Sequence, residues 1–187
     1  MKLPPLLVIT DRTIAETIAE RSLVDVVRAA VDGGAECVVL REKDLPRIER
    51  AGLAEALRAI VATVIVASDP TIESDGVHLA SLDAFPPVRP RLVGRSCHSP
   101  SELAAAAAEG CDYATLSPIF ASESKPGYGP PLGAAALRDP PLPVYALGGI
   151  DPSNARACLR AGAAGVAVMG HVMRADDPAA AVNELLS

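Results

Sequence analysis

Basic and hydroxyl side chains in this chain gather where apolar runs end. Arg41 and Lys43 follow the run "CVVL" and alternate along an extended segment, so both side chains can point toward one pocket. The later stretch "SPIFASESKPGYGP" presents Ser122, Ser124 and Lys125 in a similar alternating pattern. Cations and hydroxyl groups are typical donors to phosphate oxygens. The pattern therefore predicts a site for a phosphorylated ligand.

Two carboxylates and two glycine motifs extend this chemistry. Asp69 and Asp83 follow neighbouring apolar runs, and Mg²⁺ is often held by one or two carboxylates together with substrate phosphate oxygens. The motif "ALGGID" presents Gly148 and Gly149, and "VMGHV" places Gly170 at the start of a predicted helix. Glycine lets backbone N–H groups approach a phosphate closely. We therefore expect a Mg²⁺–pyrophosphate site and a second phosphate site.

Each of these features also has an ordinary structural explanation. The charged cluster at 41–44 is more often a solvated turn, and a Gly-Gly pair is often just a turn. Asp69 precedes a proline, a common turn composition, and Asp83 could cap a helix. His78, at the end of an apolar run, is interpreted as a packed structural histidine. The combination of features, rather than any one of them, favours a functional site.

Composition limits the classes of function. The chain has 187 residues, 50% of them hydrophobic, which is enough to bury a sizeable core, so we expect one domain spanning 1–187. The net charge of −6, with no long basic run, argues against nucleic-acid binding, because such surfaces need clustered Lys and Arg.

We expect neither a targeting signal nor a cysteine-based site in this sequence. The N-terminal stretch "MKLPPLLVIT" has an apolar run that is too short and too interrupted by proline for a signal peptide, and no stretch could span a bilayer. We expect a cytoplasmic protein without a membrane partner. The four cysteines form no CxxC pair, so neither a zinc site nor a disulfide framework is predicted.

Helices and strands alternate along the chain, with an Ala-rich helix, a glycine and an apolar strand recurring at three junctions. The predicted strands are Leu6–Thr10, Cys37–Leu40, Thr63–Ala67, Gly76–Leu79, Leu92–Gly94, Tyr113–Leu116, Val144–Leu147 and Gly165–Met169. The predicted helices are Ala15–Val31, Arg47–Ala62, Ser101–Glu109, Pro152–Ala161 and His171–Leu186. Eight apolar strands of this kind predict a (β/α)8 TIM barrel.

The intervals at 67–76, 79–92 and 132–144 leave room for little more than a turn or a short helix. We therefore expect a pared-down barrel in which some helices are shortened to loops. A doubly wound open sheet is the structural alternative. The polar residues singled out above follow predicted strands, and the carboxyl ends of parallel barrel strands meet at the rim where active sites of this fold lie.

Seven motifs, in order and spanning nearly the whole chain, carry a family resemblance: "VITDR", "LREKD", "DGVHL", "GRSCHS", "SPIFASESKPG", "ALGGI" and "AGAAGVAVM". They resemble the thiamine-phosphate synthase family and its TenI-type relatives, the thiazole tautomerases. The resemblance implies a (β/α)8 barrel that joins hydroxymethylpyrimidine diphosphate to hydroxyethylthiazole phosphate and releases pyrophosphate. The partners would be these small phosphorylated pyrimidine and thiazole substrates, with Mg²⁺ as cofactor.

The resemblance also implies roles by motif position. The pyrophosphate would be held by Arg41, Lys43 and Lys125, and its Mg²⁺ by Asp69 and Asp83. Ser68 would lie beside the first aspartate, Ser96 would lie close to the reacting centre, and the loop before the lysine would contribute Ser122 and Ser124. The thiazole phosphate would be bound by Gly148, Gly149 and Gly170. The stretch "SPIFASESKPGYGP" would then be a flap that closes over the departing pyrophosphate.

Departures from the family pattern keep two other functions open. Val39 stands where the family has a pyrimidine-binding glutamine, Gly170 replaces a phosphate-contacting serine, and the helix that usually follows Asp69 is missing. A tautomerase would need only the thiazole half, and a non-catalytic homologue would merely bind a phosphorylated ligand. The basic residues and Asp83 favour the synthase. Strand flanks without helices would expose apolar surface, so a homo-oligomer is possible.

Overall fold

The protein is a closed parallel barrel. The structure, a computed structural model, describes residues 3–19, 21–121 and 130–187. Its strands are β1 (Leu6–Ile9), β2 (Cys37–Leu40), β3 (Thr63–Ala67), β4 (Gly76–Leu79), β5 (Val93–Cys97), β6 (Tyr113–Leu116), β7 (Val144–Leu147) and β8 (Gly165–Val168). Each strand pairs in parallel with the next, and β8 returns to β1. The predicted TIM barrel is confirmed, and the closing pair Val8↔Val168 excludes an open sheet.

Helices cover the outside of the barrel unevenly. They are α1 (Arg12–Ala19), α2 (Leu23–Asp32), α3 (Arg47–Arg58), α4 (Pro100–Ala108), α5 (Pro152–Ala161), α6 (Gly170–Met173) and α7 (Pro178–Leu186). In the described chain no helix connects β3 to β4 or β4 to β5, and only the single 3-10 turn Ala134–Leu137 lies between β6 and β7. The predicted pared-down barrel is therefore confirmed.

Two predicted long helices are wrong as single elements. The helix predicted at 15–31 is divided into α1 and α2, and the one at 171–186 into α6 and α7. The Ser22 side chain accepts a hydrogen bond from the Asp25 N–H, and Asp177 caps α7 just before Pro178. Serine, aspartate and proline stabilise helix starts more than helix interiors, so each starts a new helix.

The predicted fifth strand also differs from the structure. The apolar pattern predicts it at 92–94, whereas β5 runs from Val93 to Cys97. Its parallel pairing with β6, including Ser96↔Thr115, extends the strand beyond the apolar residues that suggested it. Ser96 is thus held in a strand rather than in a loop.

Successive side chains of each strand point to opposite faces, so the buried apolar residues form two clusters. A larger cluster lies between the outer faces of the strands and the helices, and a smaller one fills the barrel. The inner cluster is formed by Leu7, Ile9, Cys37, Val39, Ile65, Leu92, Tyr113, Tyr145 and Ala167. Gly94 makes room for the Tyr113 ring, because a Cβ at Gly94 would lie 2.1 Å from Tyr113 Cζ.

All four cysteines are buried as free thiols. They are Cys37 in β2, Cys97 in β5, Cys111 before β6 and Cys158 in α5. Within the described ranges, no helix is long and apolar enough to cross a bilayer.

Candidate active site

A cavity of about 710 Å³ opens at the carboxyl ends of the strands. Of the residues predicted to form the site, it brings together Arg41, Lys43, Ser96, Gly148, Gly149 and Gly170. Its apolar part is lined by residues from the barrel interior, including Ile9, Val39 and Ala167. The cavity therefore joins a hydrophobic interior to a polar rim, a combination typical of small-molecule sites.

A buried glutamate orients the basic segment after β2. Glu42 is 3% exposed and accepts hydrogen bonds from Thr10 Oγ1 (2.6 Å) and from the Arg12 N–H (3.1 Å). Thr10 Oγ1 in turn accepts from the Arg41 N–H at 3.0 Å. With Glu42 anchored inward against β1, its neighbours Arg41 and Lys43 line the cavity. Sequence reasoning did not assign Glu42 a role, although an acidic residue between two cations is a visible feature.

Asp83 lies in the turn after β4, near enough to Lys43 for their charges to interact. Its Oδ2 atom accepts from Ser68 Oγ (2.5 Å) and from the Ala80 N–H (2.7 Å). Burial acts to raise the pKa of Asp83, but these hydrogen bonds and the charges of Lys43 and Arg95 outweigh it and hold the pKa below its usual value. Asp83 is therefore a carboxylate at neutral pH.

Arg95 holds the turn that carries Asp83. Its Nη1 donates to the carbonyl oxygens of Ala80 (3.0 Å), Ser81 (3.1 Å) and Asp83 (2.9 Å). Its Nη2 pairs with Glu109 at 2.8 Å, and its side chain is only 7% exposed. In the absence of a helix between β4 and β5, this guanidinium fixes the shape of the connection. Sequence reasoning missed Arg95, whose signal is a charge inside the otherwise apolar run "LVGRSC".

Asp69, like Ser68 and Asp83, is not among the residues that line the cavity. Its Oδ1 accepts from the Thr71 N–H (3.0 Å) and from Thr71 Oγ1 (2.6 Å), and its Oδ2 lies 3.0 Å from Arg50 Nη2. Burial favours a higher pKa for Asp69, but the Thr71 hydrogen bonds, with Arg50 and Arg47, lower it. The short connection after β3 thus turns this carboxylate toward α3, away from the predicted partner Asp83.

Ser96 is hydrogen-bonded to a buried histidine. His78 Nε2 lies 3.0 Å from Ser96 Oγ, and His78 Nδ1 lies 2.9 Å from the Tyr113 hydroxyl. Burial, with the charges of Lys43 and Arg95, lowers the pKa of His78 to about 4. His78 is buried, as expected of a structural histidine, but it also lines the cavity.

Another histidine at the rim was left without a role by the sequence. His98 follows β5 and lines the cavity, with Nδ1 2.8 Å from the Ser117 carbonyl oxygen. Its position directly after a strand of the barrel is the signal that could have identified it as a rim residue.

The opposite side of the mouth is formed by glycine backbone. Gly148 and Gly149 follow β7 with φ angles of +94° and +62°. A Cβ at Gly149 would lie 2.3 Å from the Ala121 carbonyl oxygen. Gly170 begins α6, a single turn, and lines the same cavity. Gly148 and Gly149 allow close packing, and all three glycines leave backbone groups near the cavity.

The predicted flap falls partly outside the described residues. Ser122, Ser124 and Lys125 belong to the range 122–129, so their predicted roles stay predictions. Ala121, directly before this range, and Pro131, the second residue after it, line the cavity. The described chain therefore borders the cavity both before and after this range.

Comparisons with known proteins agree with one another. The sequence model of the thiamine monophosphate synthase family matches residues 6–172. The thiamine-phosphate synthase of Roseiflexus castenholzii is 37% identical, over 95% of this chain and 85% of its own. That of Moorella thermoacetica is 37% identical, over 88% and 87%.

Solved structures give the same result. The thiamine phosphate pyrophosphorylase of Pyrococcus furiosus superposes with a TM-score of 0.82 and 30% identity, over 97% of this chain and 93% of that structure. A 3-hexulose-6-phosphate synthase structure shares the fold with a TM-score of 0.72 but only 17% identity.

Proposed function

Because this chain belongs to the thiamine monophosphate synthase family, we propose that its barrel mouth joins hydroxymethylpyrimidine diphosphate to hydroxyethylthiazole phosphate and releases pyrophosphate. The observation that carries this proposal is the arrangement of the cavity. Arg41 and Lys43 stand on one side with Ser96, and the glycine backbone at 148–149 and 170 lies on the other. One mouth thus offers separate places for two phosphorylated substrates.

The basic side suits the diphosphate. Arg41 and Lys43 both line the cavity and would neutralise the charge that develops on the leaving pyrophosphate. Lys125, Ser122 and Ser124 would add to this set from outside the described residues. Arg41 Nη1 already lies 3.5 Å from Asp11 Oδ2, which limits where the guanidinium can go.

The donor set fits a Mg²⁺ ion that is held partly by substrate. The described residues contain no cluster of three or more His, Cys, Asp or Glu side chains that could hold a metal by themselves. Asp83 is ionised, and the hydrogen bonds recorded for it in the described chain use Oδ2 alone. One carboxylate oxygen with diphosphate oxygens is a usual Mg²⁺ arrangement. We assign the ion to Asp83 and leave Asp69 with Arg50; Mg²⁺ there would offset charge on the leaving group.

The glycine side suits the thiazole phosphate. Backbone N–H groups of Gly148, Gly149 and Gly170 would donate to its oxygens, because no side chain blocks their approach. Since α6 has a single turn, individual N–H groups rather than a helix dipole would bind the phosphate.

The reaction breaks the C–O bond between the pyrimidine methylene and the diphosphate, and the bonding electron pair leaves with pyrophosphate. The electron-rich aminopyrimidine stabilises the resulting cation, and the thiazole nitrogen lone pair forms the new C–N bond. No enzyme nucleophile is needed. The chain's thiols agree with this, because burial raises the pKa of Cys37 and Cys97 to about 12 and keeps them protonated.

The proposal is tested by incubating the protein with both substrates and Mg²⁺ and measuring thiamine phosphate. Lys43→Ala should reduce the rate by about a hundredfold or more, because a charge at the leaving group is lost. Arg58→Ala, which removes a surface pair with Glu73, is the matched control and should leave the rate unchanged.

The alternatives have distinct outcomes in the same assay. Isomerisation of a carboxylated thiazole phosphate without thiamine phosphate formation would replace the synthase with a tautomerase. Neither reaction, with retained binding of either substrate, would support a non-catalytic homologue. A cytoplasmic location stays a prediction.

A homo-oligomer also stays a prediction. Leu82 and Val88, on the connection that lacks a helix, are 96% and 83% exposed, which supports it. Light scattering on the purified protein would measure its mass in solution.

A further inference from the structure

Three hydrogen-bonding side chains form a row from the barrel interior to the cavity. The Tyr113 hydroxyl lies 2.9 Å from His78 Nδ1, and His78 Nε2 lies 3.0 Å from Ser96 Oγ. Tyr113 and His78 are buried, whereas Ser96 is partly exposed at the cavity. A second hydroxyl, Thr115 Oγ1, is 3.4 Å from His78 Nε2. Which group donates in each of these hydrogen bonds determines whether Ser96 can donate a hydrogen bond to a substrate or only accept one.

Strand register fixes the position of the tyrosine. His78 pairs with Gly94 across β4 and β5, and Gly94 pairs with Tyr113 across β5 and β6. Because Gly94 has no side chain, the Tyr113 ring occupies that space and its hydroxyl reaches His78. Tyr145 packs edge-on against the same ring at a centroid distance of 5.7 Å. The hydroxyl is therefore held at Nδ1 by packing on both sides.

The tyrosine hydroxyl determines which histidine nitrogen carries the proton. With its pKa lowered to about 4, His78 is neutral at pH 7 and has one N–H. Burial raises the pKa of Tyr113 well above its ordinary value, so the phenol keeps its proton. In the described chain, His78 is the one hydrogen-bond partner recorded for that hydroxyl. A proton on Nδ1 would leave the buried phenolic proton without an acceptor, which is unfavourable.

We infer that Tyr113 and His78 are positioning residues: Tyr113 donates to Nδ1, Nε2–H donates to Ser96 Oγ, and the Ser96 hydroxyl proton is directed into the cavity. This rests on the proposed function only in placing Ser96 beside the reacting centre. So oriented, Ser96 is a donor to an anionic oxygen, such as the diphosphate oxygen that leaves the pyrimidine methylene. The other tautomer would make Ser96 donate to His78 and present only lone pairs to the substrate.

Thr115 favours the other tautomer of His78, but its contact with the ring is longer than that of Tyr113. Its hydroxyl would gain an acceptor if Nε2 were unprotonated, but the distance of 3.4 Å is long for an O–H···N bond. The shorter contact at Nδ1 decides the tautomer.

The first test measures the tautomer in the substrate-free protein. A long-range proton–nitrogen correlation spectrum of isotope-labelled protein distinguishes the two ring nitrogens of each histidine. The chain has three histidines, and His78→Asn identifies the resonance concerned. We expect a proton on Nε2 and none on Nδ1. A proton on Nδ1 would overturn the inference, whether or not the protein makes thiamine phosphate.

The second test removes the phenolic oxygen. Tyr113→Phe keeps the ring that fills the space at Gly94 but leaves Nδ1 without its donor. The His78 resonances should shift toward a mixture of tautomers, and kcat for thiamine phosphate should fall about tenfold with KM changed by less than about twofold. Tyr145→Phe is the matched control, since the Tyr145 hydroxyl donates instead to the Pro4 carbonyl oxygen at 3.0 Å. It should leave both measurements unchanged.

A double-mutant cycle separates positioning from a purely structural effect. If Tyr113 acts through Ser96, then Tyr113→Phe should cost little further kcat in a Ser96→Ala background. Equal losses of kcat in both backgrounds would contradict the inference, as would an unchanged tautomer in Tyr113→Phe. A parent protein that makes no thiamine phosphate would refute the proposed function instead, and the spectrum would still decide the proton positions.

Discussion

The two sides of the barrel mouth are built in different ways. The side formed by the connections after β2 to β5 uses side chains that hold one another: Glu42 with Thr10, Asp69 with Arg50, and Ser68 with Asp83. The side after β7 uses the backbone of Gly148 and Gly149, packed closely against residues 118–121. A side-chain site can lose a member and keep its fold. In a site built from backbone, a substitution adds a side chain, so it alters ligand binding and packing together.

The largest effect that distinguishes the two sides of the mouth is expected at Gly149. A side chain there would require a left-handed backbone at φ +62° and would meet the Ala121 carbonyl oxygen at 2.3 Å. Gly149→Ala should therefore lower the free energy of unfolding by about 3 kcal/mol or more, measured by urea denaturation. Gly52→Ala in α3 is the control, because a Cβ at Gly52 would meet no neighbouring group within 4 Å. That variant should gain up to about 1 kcal/mol; equal losses in both would contradict the backbone role.

The side-chain half should also respond to pH through His78. Its folded pKa of about 4 lies below the ordinary 6.5, so only the unfolded chain takes up a proton as the pH falls through this window. The resulting stability is fully present above pH 6.5, is lost as the pH falls toward 4, and amounts to about 3 kcal/mol.

His78→Asn should flatten this dependence, which urea titrations at about pH 7.5 and about pH 5 would measure. Asp69 and Asp83, whose pKa values are lowered from 3.8, contribute only at more acidic pH. A parent protein with equal stability at the two pH values would refute the prediction.

The two aspartates should separate metal binding from stability. Asp83→Asn should raise the Mg²⁺ concentration for half-maximal activity by about tenfold, because the ion loses a charged ligand. Asp69→Asn should leave that concentration unchanged and lower the free energy of unfolding by about 2 kcal/mol, since Arg50 loses its charged partner. Similar metal responses in both variants would mean that the carboxylates act as a pair after all.

The smallest effect is expected at Arg95. Arg95→Lys keeps the charge but cannot serve three carbonyl oxygens and Glu109 at once, so the Asp83 turn should loosen. The KM for the diphosphate substrate should rise about threefold, with the KM for the thiazole phosphate unchanged. Arg89→Lys, at an exposed pair with Asp112 at 2.8 Å, is the control and should change neither. A rise in both KM values for Arg95→Lys would show a general loss of structure.

The strands and the position of the rim could be predicted from the sequence because buried parallel strands leave a local apolar pattern. Side-chain partners could not, since they depend on distant residues. Asp69 meets Arg50 from the preceding helix, and His78 reaches Tyr113 only across the register of three strands. The divided helices were predictable in principle, because Ser22 and Asp177 are ordinary capping residues within an otherwise helical pattern. The prediction followed the apolar pattern and did not use these capping residues.

The labelling rates of the four buried cysteines would report the order in which parts of the barrel unfold. Cys37 lies inside the barrel, whereas Cys97, Cys111 and Cys158 lie under the outer helices and loops. Burial raises the pKa of each thiol, so none should react with a disulfide reagent while the protein is folded. The rates at which the individual thiols are labelled would then report whether the outer layer detaches before the strands separate, or whether the whole barrel opens in one cooperative step.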